Sequence, residues 1–303
     1  EEFEKSICGC HQCGMCLKKC PRNFDAKEFM HHARALLENQ NHNLCKIYQN
    51  IRVDQRENLF SKLKEENNIV YNDALQNGIC KRLFIPGCHM SSSFPTLTNE
   101  VTQFLIDNDI VDGMSSFCCG NPLYASGLYK EFQTYISDLE VLYKKHGVQM
   151  ITTPCPSCFD FYRRVQAMGY LEGIDIHCLS QDLVDHHIII NRAAFPEEYT
   201  VSIHDSCPDR KLGIFADSLR KLYQDFEIKE LKHNHENSLC CGCGGLAPLY
   251  SQDVSAEGKQ LKIDEVKEAH SDCLITTCFN CYKGLKPLTS IHQYLEDLME
   301  GRQ

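Results

Sequence analysis

One arrangement of five cysteines occurs twice in this chain. The first copy is Cys88, the adjacent pair Cys118-Cys119, and Cys155-x-x-Cys158; the second is Cys207, Cys240-Cys241 and Cys278-x-x-Cys281. From the first cysteine to the pair is 30 residues in one copy and 33 in the other, and from the pair to the CxxC is 36 and 37. Gly120 and Gly242 follow the pair, so both copies read CCG. Such a repeat implies a duplicated unit that brings five thiols together at each of two sites.

The rest of the sequence narrows what those thiols do. A chain of 303 residues with 43% apolar and 24% charged positions can bury a real core and hold two or three domains. It needs no disulfides to make up for a missing core. A net charge of −10 argues against a nucleic-acid partner, since phosphate binding needs a basic face. The pairs Lys18-Lys19 and Lys144-Lys145 are expected to be solvated surface. No stretch nears the roughly 18 apolar residues of a membrane span; beside His186-His187 the run is only Ile188-Ile189-Ile190. The opening EEFEKSICGC has no signal-peptide pattern, being acidic and then thiol-rich. The expected location is the cytoplasm, including the cytoplasmic face of the membrane.

Three chemistries compete for the cysteines. Disulfide scaffolding suits them poorly, because bridges between adjacent cysteines constrain almost no chain. Structural zinc accepts CxxC pairs but takes four ligands, where each repeat offers five. Iron–sulfur ligation uses soft thiolates that a reducing compartment keeps available. The N-terminus favours it: Cys10-HQ-Cys13-GM-Cys16-LKK-Cys20-Pro21 is the C-x2-C-x2-C-x3-C-P run of bacterial ferredoxins. Gly14 eases the turn between ligands, and Pro21 stops the helix that would carry Cys20.

In two-cluster ferredoxins the cysteine before Pro ligates the other cluster, so a second run should follow. The segment Cys45-KI-Tyr48-QN-Ile51-RVD-Gln55 has the frame but keeps one thiol, as an eroded second half would. A single cubane held by Cys10, Cys13 and Cys16 is therefore expected, with Cys20, Cys45 or Cys8 as fourth ligand and Cys20 favoured.

Residues 1–70 read as helical, with helices expected over Phe24–Glu38 and Ile51–Lys64 and a polar break between them. Strands and helices then alternate. KRLFIPG leads to Cys88, a helix over Phe94–Asn108 follows, and a weaker strand leads to Cys118. A long helix over Leu128–His146, with Phe132, Tyr135, Leu139 and Leu142 as its apolar face, precedes VQMITTP, Cys155, a further helix and IDIHCL. The second copy repeats the order: YTVSIHD to Cys207, a helix over Leu212–Phe226, and CLITT to Cys278. NRAAFPEE, residues 191–198, is the expected junction between copies. The reading is an α/β fold of duplicated Rossmann-like units behind a small helical ferredoxin-like domain: residues 1–70, 71–192 and 193–303. Ligand cysteines then lie just past strand ends, as ligands do in open parallel sheets. Gly120 and Gly242 would let backbone approach a cluster, and the following helix could aim its N–H groups at it.

IPGC, FCCGNPLYASG, TPCPSC, HDSCPDR, LCCGCGG and TTCFNC together resemble the cysteine-rich CCG domains of B- and D-type heterodisulfide reductase subunits and related iron–sulfur oxidoreductases, over about residues 80–285. The preceding ferredoxin run resembles fused forms, which usually carry two such motifs where this chain keeps one. In that family, intact five-cysteine repeats bind noncubane 4Fe–4S clusters, and two of these face each other and split a disulfide by one-electron steps. Many relatives working with flavin dehydrogenases carry incomplete repeats, whereas all ten positions are filled here. The resemblance implies one cubane cluster and two noncubane clusters, one held by Cys88, Cys118, Cys119, Cys155 and Cys158, the other by Cys207, Cys240, Cys241, Cys278 and Cys281. It implies the iron–sulfur subunit of an anaerobic redox complex that cleaves or forms a disulfide. The alternative is an electron relay between a flavin dehydrogenase and a quinone or membrane partner. No GxGxxG follows a strand, so reducing equivalents are expected from a flavoprotein or other donor subunit.

Cys80, Cys178, Cys243 and Cys273 fall outside the pattern and read as buried thiols, Cys243 least safely because it lies beside the second pair. His89, His177 and His204 are near cluster segments and could donate protons to a departing thiolate, with a structural role preferred. Asp205 is expected to cap the turn before Cys207. Tyr124 and Tyr282 are read as core rather than cleft.

Overall fold

The computed structural model describes residues 2–39, 51–245, 247–286, 288 and 290–301. It divides into two compact units, Ala35–Asp182 and Glu1–Arg34 with Leu183–Gln303.

Each unit holds a four-stranded parallel sheet. The first comprises β1 (Arg82–Phe84), β2 (Gly113–Met114), β3 (Met150–Thr153) and β4 (Asp175–Cys178), in the order β2-β1-β3-β4. The second comprises β5 (Thr200–His204), β6 (Glu227–Ile228), β7 (Cys273–Thr276) and β8 (Ile291–Gln293), in the order β6-β5-β7-β8. The two orders are the same permutation, so the cysteine repeat is a repeat of topology. Registers agree as well: Phe84 lies opposite Thr152 in one sheet and Ile203 opposite Ile275 in the other. Parallel strands are covered on both faces, so their sequences run apolar or small rather than alternating. Every residue of β5 and β7 is accordingly buried.

Helices connect the strands: Pro95–Asp107, Tyr129–Lys145 and Pro156–Ala167 in the first unit, Ile214–Leu222 and Gln252–Ala269 in the second. Two expectations need correction. The apolar stripe of Tyr129–Lys145 is Phe132, Ile136, Leu139 and Tyr143, with Tyr135 and Leu142 only half-buried; the stripe is rotated one residue toward the C-terminus. The helix expected over Ile51–Lys64 spans only Leu59–Glu66, because Asn58 caps it, accepting from the N–H groups of Phe60 at 3.0 Å and Ser61 at 3.2 Å. The N-terminal segment is helical as expected, over Glu2–Cys8, Met15–Lys19 and Ala26–Asn39. No described helix is long and apolar enough to cross a membrane.

Candidate metal centres

In both units the cysteines emerge from the C-terminal ends of β1, β3, β5 and β7. Cys88 opens the helix Cys88–Ser93 four residues after β1, and Cys207 follows β5 by three. Cys155 and Cys278 are the N-caps of Pro156–Ala167 and Phe279–Gly284, which carry Cys158 and Cys281 in their first turns. Those N-termini therefore face each site with unsatisfied backbone N–H groups.

At the first site each thiol perturbs the next, in the order Cys88, Cys118, Cys119, Cys158, Cys155. The Cys118 sulfur, then burial, pushes the Cys88 thiol well up; hydrogen bonds from Cys118 and Cys158 hold Cys119 down at about 6. Five thiols so close, three of them buried, cannot all ionise without a cationic partner. The Tyr135 hydroxyl donates to the Cys118 carbonyl at 2.9 Å, and the buried hydroxyls of Tyr143 and Tyr162 meet at 3.3 Å. Lys64 donates to Ser116 Oγ at 3.1 Å within the field of Cys88 and Cys118, and burial lowers its ammonium.

The second site repeats the chain in the same order, Cys207 to Cys240 to Cys241 to Cys281 to Cys278, with Cys281 and Cys241 sulfurs 3.0 Å apart. Three further groups join it. Cys13 hydrogen-bonds to Cys240, which is pulled far down by Cys13 first, then by Cys207 and Cys241. Cys243 packs against Cys241 and hydrogen-bonds to its carbonyl at 3.4 Å; the Cys241 sulfur, opposed by burial, holds the Cys243 thiol down, helped by the Lys259 charge. His204, Cys241 and Cys281, all buried, hold their ligand atoms within 4.8 Å of one another. The expectation that Cys243 is simply a buried thiol is thus corrected: the chain bends back at the second pair and brings it to the site.

The N-terminal run reaches the second site because its backbone is clamped there. The guanidinium of fully buried Arg34 donates to the carbonyls of Ile7 at 3.1 Å, Cys8 at 3.2 Å and Cys10 at 3.3 Å. Arg210 donates to the Cys13 carbonyl at 3.2 Å and the Ser238 carbonyl at 2.7 Å. A Cβ on Gly244 or Gly245 would stand 2.4 Å from the His11 carbonyl or 2.2 Å from that of Cys10, so only glycine permits this approach. Gly14, at φ +73°, begins Met15–Lys19, and Cys20 ends it in an extended conformation before Pro21. Cys16 is exposed; Cys10, Cys13 and Cys20 are half-buried. Among the described residues these four do not form a group of sulfurs within 4.8 Å. Of the other fourth-ligand candidates, Cys8 is buried and Cys45 lies outside the described residues.

Gly120 and Gly242 both adopt left-handed backbone, at φ +87° and +74°. A Cβ on Gly242 would lie 2.4 Å from the Ser255 carbonyl, and one on Gly120 would lie 3.2 Å from the Tyr135 ring. Both glycines therefore admit a helix packed close behind the cysteine pair. Cys80, Cys178 and Cys273 are buried. His89 packs edge-on to Phe60. His177 pairs with Asp182 at 2.9 Å, as His292 does with Asp297 at 2.7 Å in the second unit. Asp205 does not cap the turn before Cys207; it pairs with Arg220 at 2.9 Å and accepts from the His235 N–H at 2.6 Å. Tyr124 lies in an aromatic cluster with Phe132 and Phe161, and Tyr282 donates to Glu296 at 3.0 Å beside the core.

Residues 83–161 and 201–286 each match the CCG cysteine-rich domain. Among curated proteins, the chain is 23% identical over 98% of its length to an uncharacterized iron–sulfur protein of Methanococcus maripaludis, spanning 60% of that protein. It is 23% identical over 94% of its length to a D-type subunit of the dihydromethanophenazine:CoB–CoM heterodisulfide reductase of Methanosarcina acetivorans, spanning 73% of it. It is also 24% identical over 55% of its length to lactate utilization protein A of Macrococcus caseolyticus, spanning 71% of it. Among solved structures, a glutamate racemase from Bacillus anthracis matches at 11% identity and TM-score 0.33, over 74% of this chain and 79% of that one, a likeness too slight to bear on function. With both cysteine repeats inside the matched segments, the chain belongs to the family of CCG cysteine-rich domain proteins.

Proposed function

We propose that this chain is the iron–sulfur subunit of a heterodisulfide reductase-like redox complex. In this reading residues 1–70 form a ferredoxin-like module, and 71–192 and 193–303 the two CCG modules. Cys88, Cys118, Cys119, Cys155 and Cys158 hold one noncubane 4Fe–4S cluster, and Cys207, Cys240, Cys241, Cys278 and Cys281 hold the other. Cys10, Cys13, Cys16 and Cys20 hold a cubane. The observation that carries the reading is the same five-thiol chain, in the same order, at the same strand ends of both sheets. Soft, buried, contiguous thiols are the donor set that iron–sulfur clusters take.

Clusters bound there would supply electrons one at a time to a disulfide. Cleavage breaks one S–S bond, consumes two electrons from a donor subunit and takes up two protons from solvent, leaving two thiols. The chain's own contribution is to bury the sulfurs, point helix N-termini at them and exclude water from both sites. The hydrogen bond between Cys13 and Cys240 supports electron entry at the second site. Lys64 and Lys259 supply positive charge beside the first and second sites, offsetting the negative charge of clustered thiolates.

Electron paramagnetic resonance of anaerobic protein trapped with a disulfide tests the reading. A changed signal from a CCG site is expected; signals indifferent to every disulfide would leave only electron relay. That second reading draws on the likeness to lactate utilization protein A. It requires a co-purifying flavoprotein or membrane subunit and no disulfide turnover by this chain.

A further inference from the structure

The second site contains a buried group that its five thiols do not explain. His204 is the last residue of β5, three positions before Cys207, and is 1% exposed. The equivalent residue of the first repeat, three positions before Cys88, is Ile85, fully buried at the end of β1. The strand is otherwise apolar or small at this point, with Ile203 on one side and the neighbouring strand's Ile275 and Thr276 opposite. The ring nitrogens of His204 reach no oxygen or nitrogen partner; what they meet is sulfur, including the Cys281 thiol, which Cys241 and Cys278 hold down first and His204 lowers further. A buried polar group without an oxygen or nitrogen partner calls for an explanation such as a bound ion. The ring is held against Cys241 and Cys281, within 4.8 Å of both sulfurs.

We propose that His204 is a non-thiol group of the second site: one imidazole nitrogen contacts the cluster held there, at the edge formed by Cys241 and Cys281. The inference rests on the reading that the second site holds an iron–sulfur cluster. Isoleucine in the matching position means that the first site lacks this contact. An imidazole on iron, or an N–H donated to a cluster sulfur, favours the more negative reduced state. Both raise the potential, as histidine ligation does in Rieske centres. His204 thus makes the two sites electronically unequal, with the second the better electron acceptor for its surroundings.

The test is pulsed electron paramagnetic resonance on the full chain, purified anaerobically and reduced, with natural and nitrogen-15-labelled histidine. Cys88→Ala and Cys207→Ala parents assign signals to sites. A histidine nitrogen coupling is expected on the second-site signal, absent from the first. His204→Ile, which copies the first repeat, is expected to abolish that coupling and move the second-site midpoint to lower potential while the first-site midpoint stays fixed. If His204→Ile does not fold, His204→Asn carries the test: the labelled-histidine coupling must still vanish, and a smaller drop in potential is expected because an amide donor remains. A second-site cluster without histidine coupling, or with coupling unchanged in either variant, overturns the role of His204 alone. A second site with no iron or acid-labile sulfide in the parent protein overturns the cluster reading and this inference with it.

Discussion

The two CCG units share one strand order, one set of strand-end cysteines and one order of sulfur contacts, yet they surround those sulfurs differently. The first site is backed by phenols: Tyr135 on the Cys118 carbonyl and the Tyr143–Tyr162 hydroxyl pair. The second is entered by Cys13, Cys243 and His204. The thiols held in the acidic direction differ accordingly. At the first site Cys119, the second member of the pair, is held down by Cys118 and Cys158; at the second site two sulfurs of the repeat are held down, Cys240 first by Cys13 and Cys281 by Cys241 and Cys278. Duplication thus fixes where the sulfurs lie, and the neighbours that differ set what each site can do.

The largest expected effect comes from breaking either sulfur chain. Cys119→Ser should remove the first cluster and Cys241→Ser the second, each lowering iron by about four per chain. Equal losses, measured by iron analysis, are what the duplication predicts; a variant that keeps its iron removes that cysteine from the ligand set. Next comes the Arg34 clamp of the second unit. Arg34→Met leaves the carbonyls of Ile7, Cys8 and Cys10 without their buried donor, at about 1–3 kcal/mol for each that stays unsatisfied. Chemical denaturation should show this loss, with the N-terminal cluster signal falling before those of the CCG sites.

The paired glycines sharpen the comparison at smaller scale. Gly242→Ala and Gly120→Ala both force a side chain into left-handed backbone, at about 1–3 kcal/mol. Gly242→Ala should cost more, since its Cβ would lie 2.4 Å from the Ser255 carbonyl and 2.7 Å from the Lys259 backbone nitrogen, whereas at Gly120 the nearest atom is a Tyr135 ring carbon at 3.2 Å, which a shift of a few tenths of an ångström relieves. Equal melting temperatures for the two variants would contradict this packing difference.

The smallest effect concerns the His–Asp pair repeated at β4 and β8. Asp297, then Cys273, pushes the His292 imidazolium up to about 11. A folded value raised above the unfolded one, about 6.5, gives stability that is complete below that pH and lost as pH rises through the folded value. The melting-temperature gap between the natural chain and His292→Gln should therefore be widest near pH 6 and close as pH rises toward 11. A gap independent of pH would mean that the pair acts by packing alone.

Much of this architecture was legible in the cysteine spacing, because ligands that repeat at fixed intervals must fall at equivalent points of a repeated fold. Strand ends before Cys88, Cys155, Cys207 and Cys278 follow from short β-branched and apolar runs stopping just short of a thiol. The stripe on Tyr129–Lys145 was misread by one residue because Tyr135 and Leu142 are apolar enough to mimic it. The docking of the N-terminal run left no local pattern, since Arg210 and Cys13 are 197 residues apart. One signal was available: LCCGCGG adds Gly244-Gly245 where the first copy has no paired glycine, and those glycines receive Cys10 and His11. His204 stood out only by being histidine where its counterpart is Ile85.

The most direct test of the central claim is metal and acid-labile sulfide analysis of the anaerobically purified full chain. Two CCG clusters and one N-terminal cubane require about twelve irons with matching sulfide. A chain that carries mainly zinc and no labile sulfide would contradict the account.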